Sequence, residues 1–270
     1  MKEYSCISWG STDYKTFDGK VFIFPYNCSY YLFKDTFKFT QLSILTKAAD
    51  ACQESEEKCH KIITMDYYNE QFRFTQDSNG NPALEKDHDF IFYQNLIGFT
   101  MEKAEDYLLV SLTYLGIKMK WDGKYYFELT VPESYWGKTE GLCGTLNGNP
   151  TDDLPIIEIP SEYSTTKLET VGRFKYENLF TEKKCEESFG QFKVCNDKMK
   201  SLGIKHCKEL FDHENFKECK KLSSFNKFRT SCVRQYCRYP DSNKYIEQTL
   251  DIFTKNCIEQ GKMLHFINNI

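Results

Sequence analysis

The sequence predicts an α+β protein: an antiparallel β-sandwich followed by a small disulfide-bonded α-helical module. Three observations carry this. Residues 1 to about 180 hold aromatic and β-branched runs with strand-like alternation, cut by Gly, Asn, Asp and Pro clusters. From about residue 185 the apolar residues fall at helical spacing instead. Seven of the 12 cysteines lie between Cys185 and Cys257, where short helices need fastening.

The elements follow in order. "FIFPYNCSYYLFKD" and "FTQLSILTKA" read as strands, and "CHKIITMDYYNEQFRFTQ" runs into the turn cluster "DSNGNP". The clearest hairpin is "GIKMKWDGKYYFELTV". Ile117, Met119 and Trp121 alternate with Lys118 and Lys120, and Tyr125, Phe127, Leu129 and Val131 resume the alternation. Asp122-Gly123 supplies the positive-φ dipeptide of a tight turn. One face is apolar and the other wet, as in a sandwich sheet. In the second half, "GQFKVCNDKMKSLG", "ENFKECKKLSSFNKFRTSCVRQYCRY" and "NKYIEQTLDIFTKNCIEQGKM" read as helices. Tyr245, Ile246, Leu250, Phe253 and Cys257 form one stripe.

Composition excludes several classes. The 270 residues are 40% hydrophobic and 16% aromatic, enough for a sizeable core. A formal charge of -4 gives no footprint for nucleic acid. No apolar run approaches the roughly 20 residues of a membrane span. The cysteines are even in number and include no CxxC pair, against a zinc ribbon or thioredoxin-like motif. A disulfide framework made in an oxidising compartment is the reading preferred over scattered cytosolic thiols. "MKEYSCISWG" lacks an apolar core and is no secretory signal, so a fragment of a longer secreted protein is expected. Asn27-Cys28-Ser29 is formally a glycosylation sequon, and a bonded Cys28 would crowd its glycan.

Catalytic signatures are missing: no HExxH, GxSxG, Walker loop or GxGxxG occurs. His60, His88, His206, His213 and His265 are scattered, without partners at a diagnostic spacing. One stretch stands out, "GLCGTLNGNPTDDL", residues 141–154. Thr145, Asn147, Asn149, Thr151, Asp152 and Asp153 offer the oxygens a hard cation such as calcium takes. An EF-hand register from Asn147 through Asn149, Thr151, Asp153 and Glu158 is rejected, because Asp152 occupies its glycine position and Pro155 breaks it. Spacing alone leaves two readings open, a plain Gly/Asn/Asp turn and a calcium site, and favours the turn.

"TFDGKVFIFPYNCSYYLFKD", residues 16–35, resembles the opening of a von Willebrand factor type D domain. "GLCGTLNGNPTDDL" resembles that family's second hallmark, about 125 residues on, and "FKYENLFTEKKC" stands where a short segment ends in cysteine. Residues 185–270 are similar to the helical C8 module that follows such domains. The resemblance implies a type D domain over 1–184 and a C8 module over 185–270. It implies a calcium ion held by Asp18, Asn147, Asp152 and Asp153 through side chains and by Asn149 through its carbonyl. With Asp18 included, the loop reads as a calcium site rather than a turn alone. Thr145 stands where the family has Asn, and a hydroxyl in place of an amide oxygen implies weaker binding.

The same resemblance implies six disulfides: Cys6–Cys143, Cys28–Cys185, Cys52–Cys59, Cys195–Cys237, Cys207–Cys232 and Cys219–Cys257. The first two close long loops, with chain-entropy stabilisation of about 4–5 kcal/mol each. The extra cysteines of multimerising relatives are missing: Glu140 precedes Gly141, and "CRYPDSNKY" has only Cys237. No spare thiol is therefore expected for intermolecular bonds. "GSTDY", residues 10–14, has no Asp-Pro bond, so no self-cleavage is expected. The implied function is a non-enzymatic, secreted, calcium-binding adhesion or assembly module whose partners are other extracellular domains, including like modules of the same protein. The alternative is a soluble module capturing a growth factor, lipoprotein or host protein.

Overall fold

A computed structural model describes residues 2–24, 28–36, 41–48, 61–87, 89–90, 98–104, 106–153, 174–176, 195–239 and 242–262. The chain divides into two compact units, Met1–Gln191 and Phe192–Ile270. The architecture is α+β, as the sequence predicts.

The first unit is a sandwich of two antiparallel sheets. Its strands are β1 (Glu3–Trp9), β2 (Asp13–Lys15), β3 (Val21–Ile23), β4 (Tyr30–Asp35), β5 (Leu42–Ala48), β6 (Lys61–Tyr67) and β7 (Glu70–Gln76). They continue as β8 (Pro82–Lys86), β9 (Asp89–Phe90), β10 (Phe99–Ala104), β11 (Tyr107–Leu112), β12 (Ile117–Trp121), β13 (Phe127–Pro132) and β14 (Thr139–Glu140). One sheet has the order β10-β11-β12-β13-β1-β2-β3, the other β14-β4-β5-β6-β7-β8-β9. Alternate residues face inward because side chains along a strand repeat every two positions. Phe74 of one sheet meets Phe127 of the other at 5.2 Å between ring centroids, and Phe72 meets Phe99 at 5.4 Å. Such offset and edge-on pairs are the preferred geometry for packed rings.

The β12–β13 hairpin keeps the predicted inward face: Ile117, Met119, Trp121, Phe127, Leu129 and Val131 are all buried. The predicted tight Asp122-Gly123 turn is not formed. Trp121 pairs with Phe127, so residues 122–126 make a wider connection and Tyr125 lies in it rather than in a strand. The cause is the Asp122 carboxylate. Its Oδ1 accepts the N–H groups of Lys124, Tyr125 and Tyr126, each at 2.9 Å. A side chain that satisfies three backbone donors outcompetes the two-residue turn. Only Gly123 takes positive φ here. The outer face is also less wet than alternation implies. Glu128 is buried and accepts the Tyr126 hydroxyl at 2.7 Å, while Lys120 sits 3.8 Å from the Tyr107 ring centroid.

The second unit contains α1 (Asp197–Phe211), α2 (Phe225–Arg238) and α3 (Lys244–Glu259). Asn196 caps α1, its side chain accepting the Met199 N–H at 2.8 Å. The stretch "ENFKECKKL" begins with two short 3-10 turns, Glu214–Phe216 and Cys219–Lys221, rather than the helix predicted from it. Phe253 of α3 is the hub, with Phe211, Phe216, Phe225 and Phe228 at 5.0–5.8 Å. Leu250 is only half-buried, whereas Thr249, Ile252 and Asn256 are buried, which shifts the α3 stripe from the predicted one. Two of the buried polar side chains bond within the unit. The Thr249 hydroxyl donates to the Tyr245 carbonyl at 2.8 Å, and Asn256 Nδ2 to Ser224 Oγ at 3.2 Å.

Cys207–Cys232 ties α1 to α2, Cys195–Cys237 ties the approach to α1 to the end of α2, and Cys219–Cys257 ties the second 3-10 turn to α3. In the first unit Cys6 is bonded to Cys143. Cys28 is also disulfide-bonded, and Cys185 lies outside the described residues, as do Cys52, Cys59 and Asn27. Among the described residues there is no free cysteine. Among them, too, no helix is long and apolar enough to cross a membrane.

Candidate metal centre

Two distant pieces of chain meet at one end of the sandwich. The first is the turn after β2, Thr16-Phe17-Asp18-Gly19. It is closed by hydrogen bonds from the Thr16 N–H to the Lys20 carbonyl (2.9 Å) and from the Gly19 N–H to the Thr16 carbonyl (3.1 Å). Phe17 is its anchor, buried edge-on to Phe33, and its N–H donates to the Cys143 carbonyl at 3.1 Å. That contact sets Asp18 beside the second piece, residues 141–153.

The second piece is fixed at its base. Leu142 and Cys143 donate to the carbonyls of Tyr31 and Leu32 in β4, and Cys143 is bonded to Cys6 in β1. Thr139 braces the interior: its hydroxyl donates to the Gly144 carbonyl at 2.9 Å and accepts the Leu146 N–H at 2.8 Å. Gly144 has φ +79°, and a Cβ there would lie 2.0 Å from Asp153 Oδ1. Glycine is thus required twice, by conformation and by the carboxylate packed against it.

The three aspartates take different partners. Asp18 Oδ2 accepts the backbone N–H groups of Asn147 (3.1 Å) and Asn149 (3.0 Å). Asp152 Oδ2 accepts the side-chain amides of the same two residues at 3.0 and 3.1 Å. Asp153, 1% exposed, accepts the Thr16 hydroxyl on Oδ2 at 2.6 Å and the Thr145 N–H on Oδ1 at 2.9 Å. Burial, with the charges of Asp18 and Asp152 adding to it, pushes the Asp153 carboxyl up to about 6 against the lowering by Thr16 and Thr145. Lys20 Nζ donates to the Asp153 backbone carbonyl. A polar cavity of about 210 Å³ adjoins, lined by Glu140, Gly141, Gly144, Thr145, Asp152, Asp153 and Phe174. A larger open groove of about 520 Å³ lies over the β14–β4–β5 edge and shares only Glu140 with it.

The structure therefore brings together Asp18, Asn147, Asn149, Asp152 and Asp153. In kind they suit a hard cation: every donor is oxygen, and a buried carboxylate is crowded by two others. As the side chains stand, Asp18 and Asp152 are turned to donors of the loop itself. Among the described residues no three His, Cys, Asp or Glu side chains converge closely enough to hold a metal. Thr16, Lys20 and Thr139 were not foreseen as part of the site. Thr16 and Lys20 flank Asp18 in sequence, which was the available signal, while Thr139 carried none.

With this architecture and geometry in place, the class is defined by comparison. Residues 6–155 match the von Willebrand factor type D domain and residues 206–269 match the C8 domain. The chain belongs to the von Willebrand factor type D domain family, with a C8 domain following. Mouse otogelin-like protein is 26% identical over 263 residues, covering 95% of this chain and 11% of the relative. Human mucin-5AC is 27% identical over 268 residues, covering 95% of this chain and 4% of the relative. Pig zonadhesin is 22% identical over 268 residues, covering 95% and 10%. The chain thus spans about a tenth or less of the length of these relatives.

Proposed function

We propose that this chain is a non-enzymatic extracellular adhesion or assembly module in which calcium is a structural ion. Asp18, Asn147, Asp152 and Asp153 would hold it by side chain and Asn149 by carbonyl. The ion would supply positive charge where three carboxylates gather and would tie the turn after β2 to the loop 143–153. The observation that carries the reading is the meeting of Asp18 with Asn147 and Asn149, which are far apart in sequence, beside a buried Asp153. The disulfides support an oxidising, extracellular setting. Relatives named mucin and zonadhesin align with nearly the whole chain, which supports a role in matrix or adhesion.

The test is thermal melting in calcium and in chelator. An ion at a hundredfold excess over its Kd adds about 2.7 kcal/mol. That raises Tm by roughly 5–10 °C for a unit of this size. An unchanged midpoint, with no metal in native mass spectra, sinks the calcium reading.

A second reading, non-covalent capture of a soluble protein, draws support from the full pairing of the described cysteines. Gel filtration under non-reducing conditions separates the two. A monomer fits capture, and non-covalent oligomers fit assembly. Disulfide-linked dimers contradict the expected cysteine pairing. A screen of hydrolase substrates tests the non-enzymatic claim, and any turnover lost on mutating this loop would overturn it.

A further inference from the structure

We propose that Lys20 is a built-in counter-ion of the acidic loop and competes there with calcium. The inference rests on the calcium reading above and adds to it a residue that sets affinity.

The turn after β2 delivers two opposite charges to the same loop. Asp18 accepts the N–H groups of Asn147 and Asn149, and two residues on, the Lys20 ammonium is seated on the backbone carbonyl of Asp153. Lys20 is held there by more than its side chain. Its N–H donates to Thr16 Oγ1 at 3.0 Å, and the Thr16 hydroxyl donates to Asp153 Oδ2 at 2.6 Å. The ammonium thus arrives by one route and Thr16 by another, both ending on Asp153. Lys20 is half-buried, and Asp153 is almost wholly buried. A charge in that position is less screened than one on an open surface.

An ammonium group and a hard cation seek the same oxygens. A lysine seated on a carbonyl of the loop offsets the mutual repulsion of Asp18, Asp152 and Asp153. When a divalent ion enters the same loop, the fixed positive charge works against it. Lys20 therefore stabilises the loop without calcium and lowers its calcium affinity. A unit charge about 6 Å from a divalent ion in water-like surroundings changes its affinity about tenfold at low ionic strength. The effect shrinks as salt is raised.

The experiment uses the whole chain as wild type, Lys20→Gln and Lys20→Arg, each alone and with Asp152→Asn. Melting is followed in chelator and in saturating calcium, and calcium affinity is measured by isothermal titration at low and high salt. The expected result is that Lys20→Gln melts below wild type in chelator but not in calcium. It binds calcium about tenfold more tightly at low salt. Lys20→Arg keeps the wild-type behaviour. The deficit of Lys20→Gln in chelator shrinks in the Asp152→Asn background, because one repelling charge is gone.

An equal deficit in chelator and calcium, unchanged by Asp152→Asn, would overturn the proposal and leave Lys20 a simple strut. Weaker calcium binding by Lys20→Gln overturns it too, as does failure of that variant to fold even with calcium. If wild type shows no response to calcium, the calcium reading fails by itself. The coupling to Asp152 in chelator then still decides whether Lys20 neutralises the loop.

Discussion

Replacing Gly144 by Ala tests the geometry of the candidate site without substituting a proposed ligand. A Cβ at residue 144 would sit 2.0 Å from Asp153 Oδ1, and the residue has φ +79°. The positive φ costs about 1–2 kcal/mol for a residue with a Cβ. The Asp153 carboxylate must also move. That breaks one or both of its hydrogen bonds to Thr16 and Thr145, worth about 1.5–3 kcal/mol each when the acceptor is charged. Together the loss is about 2.5–5 kcal/mol with one bond broken and about 4–8 kcal/mol with both. Gly80→Ala is the control, since Gly80 has φ +80° and nothing within 4 Å of its would-be Cβ. It should cost only the backbone share, about 1–2 kcal/mol. All three tryptophans, Trp9, Trp121 and Trp136, lie in the first unit, so tryptophan fluorescence in urea reports that unit alone. With an m-value of about 3 kcal/mol per molar, Gly144→Ala shifts the midpoint by about 1–2.5 M and the control by about 0.5 M. Equal shifts for the two variants would refute the packing of Asp153 against Gly144.

Other outcomes follow from single contacts. Asp122→Ala removes the acceptor of three N–H groups and should cost the first unit about 2 kcal/mol in urea melts, with Asp122→Asn recovering part of it. Changing Cys207 and Cys232 together to Ala opens a link of sequence separation 25 and should cost the helical unit about 3 kcal/mol, read by circular dichroism at 222 nm. In chelator, lowering pH from 7 to 5 should raise Tm. The native Asp153 carboxyl, near 6, takes up a proton in that range while the unfolded one, near 3.8, does not. In calcium the same change should shrink the calcium-dependent rise in Tm, because ligands must be deprotonated to bind. A calcium increment that grew on acidification would contradict the assignment of Asp153.

The parts of the fold written as periodicity were legible. Ile117, Met119, Trp121, Phe127, Leu129 and Val131 alternate and are buried as a face. What escaped was competition between side chains and backbone. Asp122-Gly123 has the composition of a tight turn, yet the Asp122 carboxylate organises a wider one, and composition does not say which will win. In α3, Thr249 and Asn256 look solvent-facing by polarity, but each makes a side-chain hydrogen bond within the module and is buried. At the site, the oxygen-rich loop was visible as a cluster, while spacing gave no reason to join it to Asp18. Only the resemblance made that link, and the Phe17–Cys143 hydrogen bond is its physical basis. Thr139, buried and bonded to the Gly144 carbonyl and the Leu146 N–H, has no sequence signature at all.

The Cys6–Cys143 bond changes the distance that matters along the chain. Asp18 and Asn147 are 129 residues apart by backbone. Asp18 is 12 residues from Cys6 and Asn147 is 4 from Cys143, so through the sulfur bridge they are separated by roughly 16. Closing the shorter path costs about 2 kcal/mol less chain entropy. An oxidised but unfolded chain therefore keeps the two halves of the acidic site in each other's neighbourhood. The reduced chain must find them across most of the sandwich. The placement of this one disulfide therefore makes gathering the aspartates cheaper in the oxidised chain than in the reduced one.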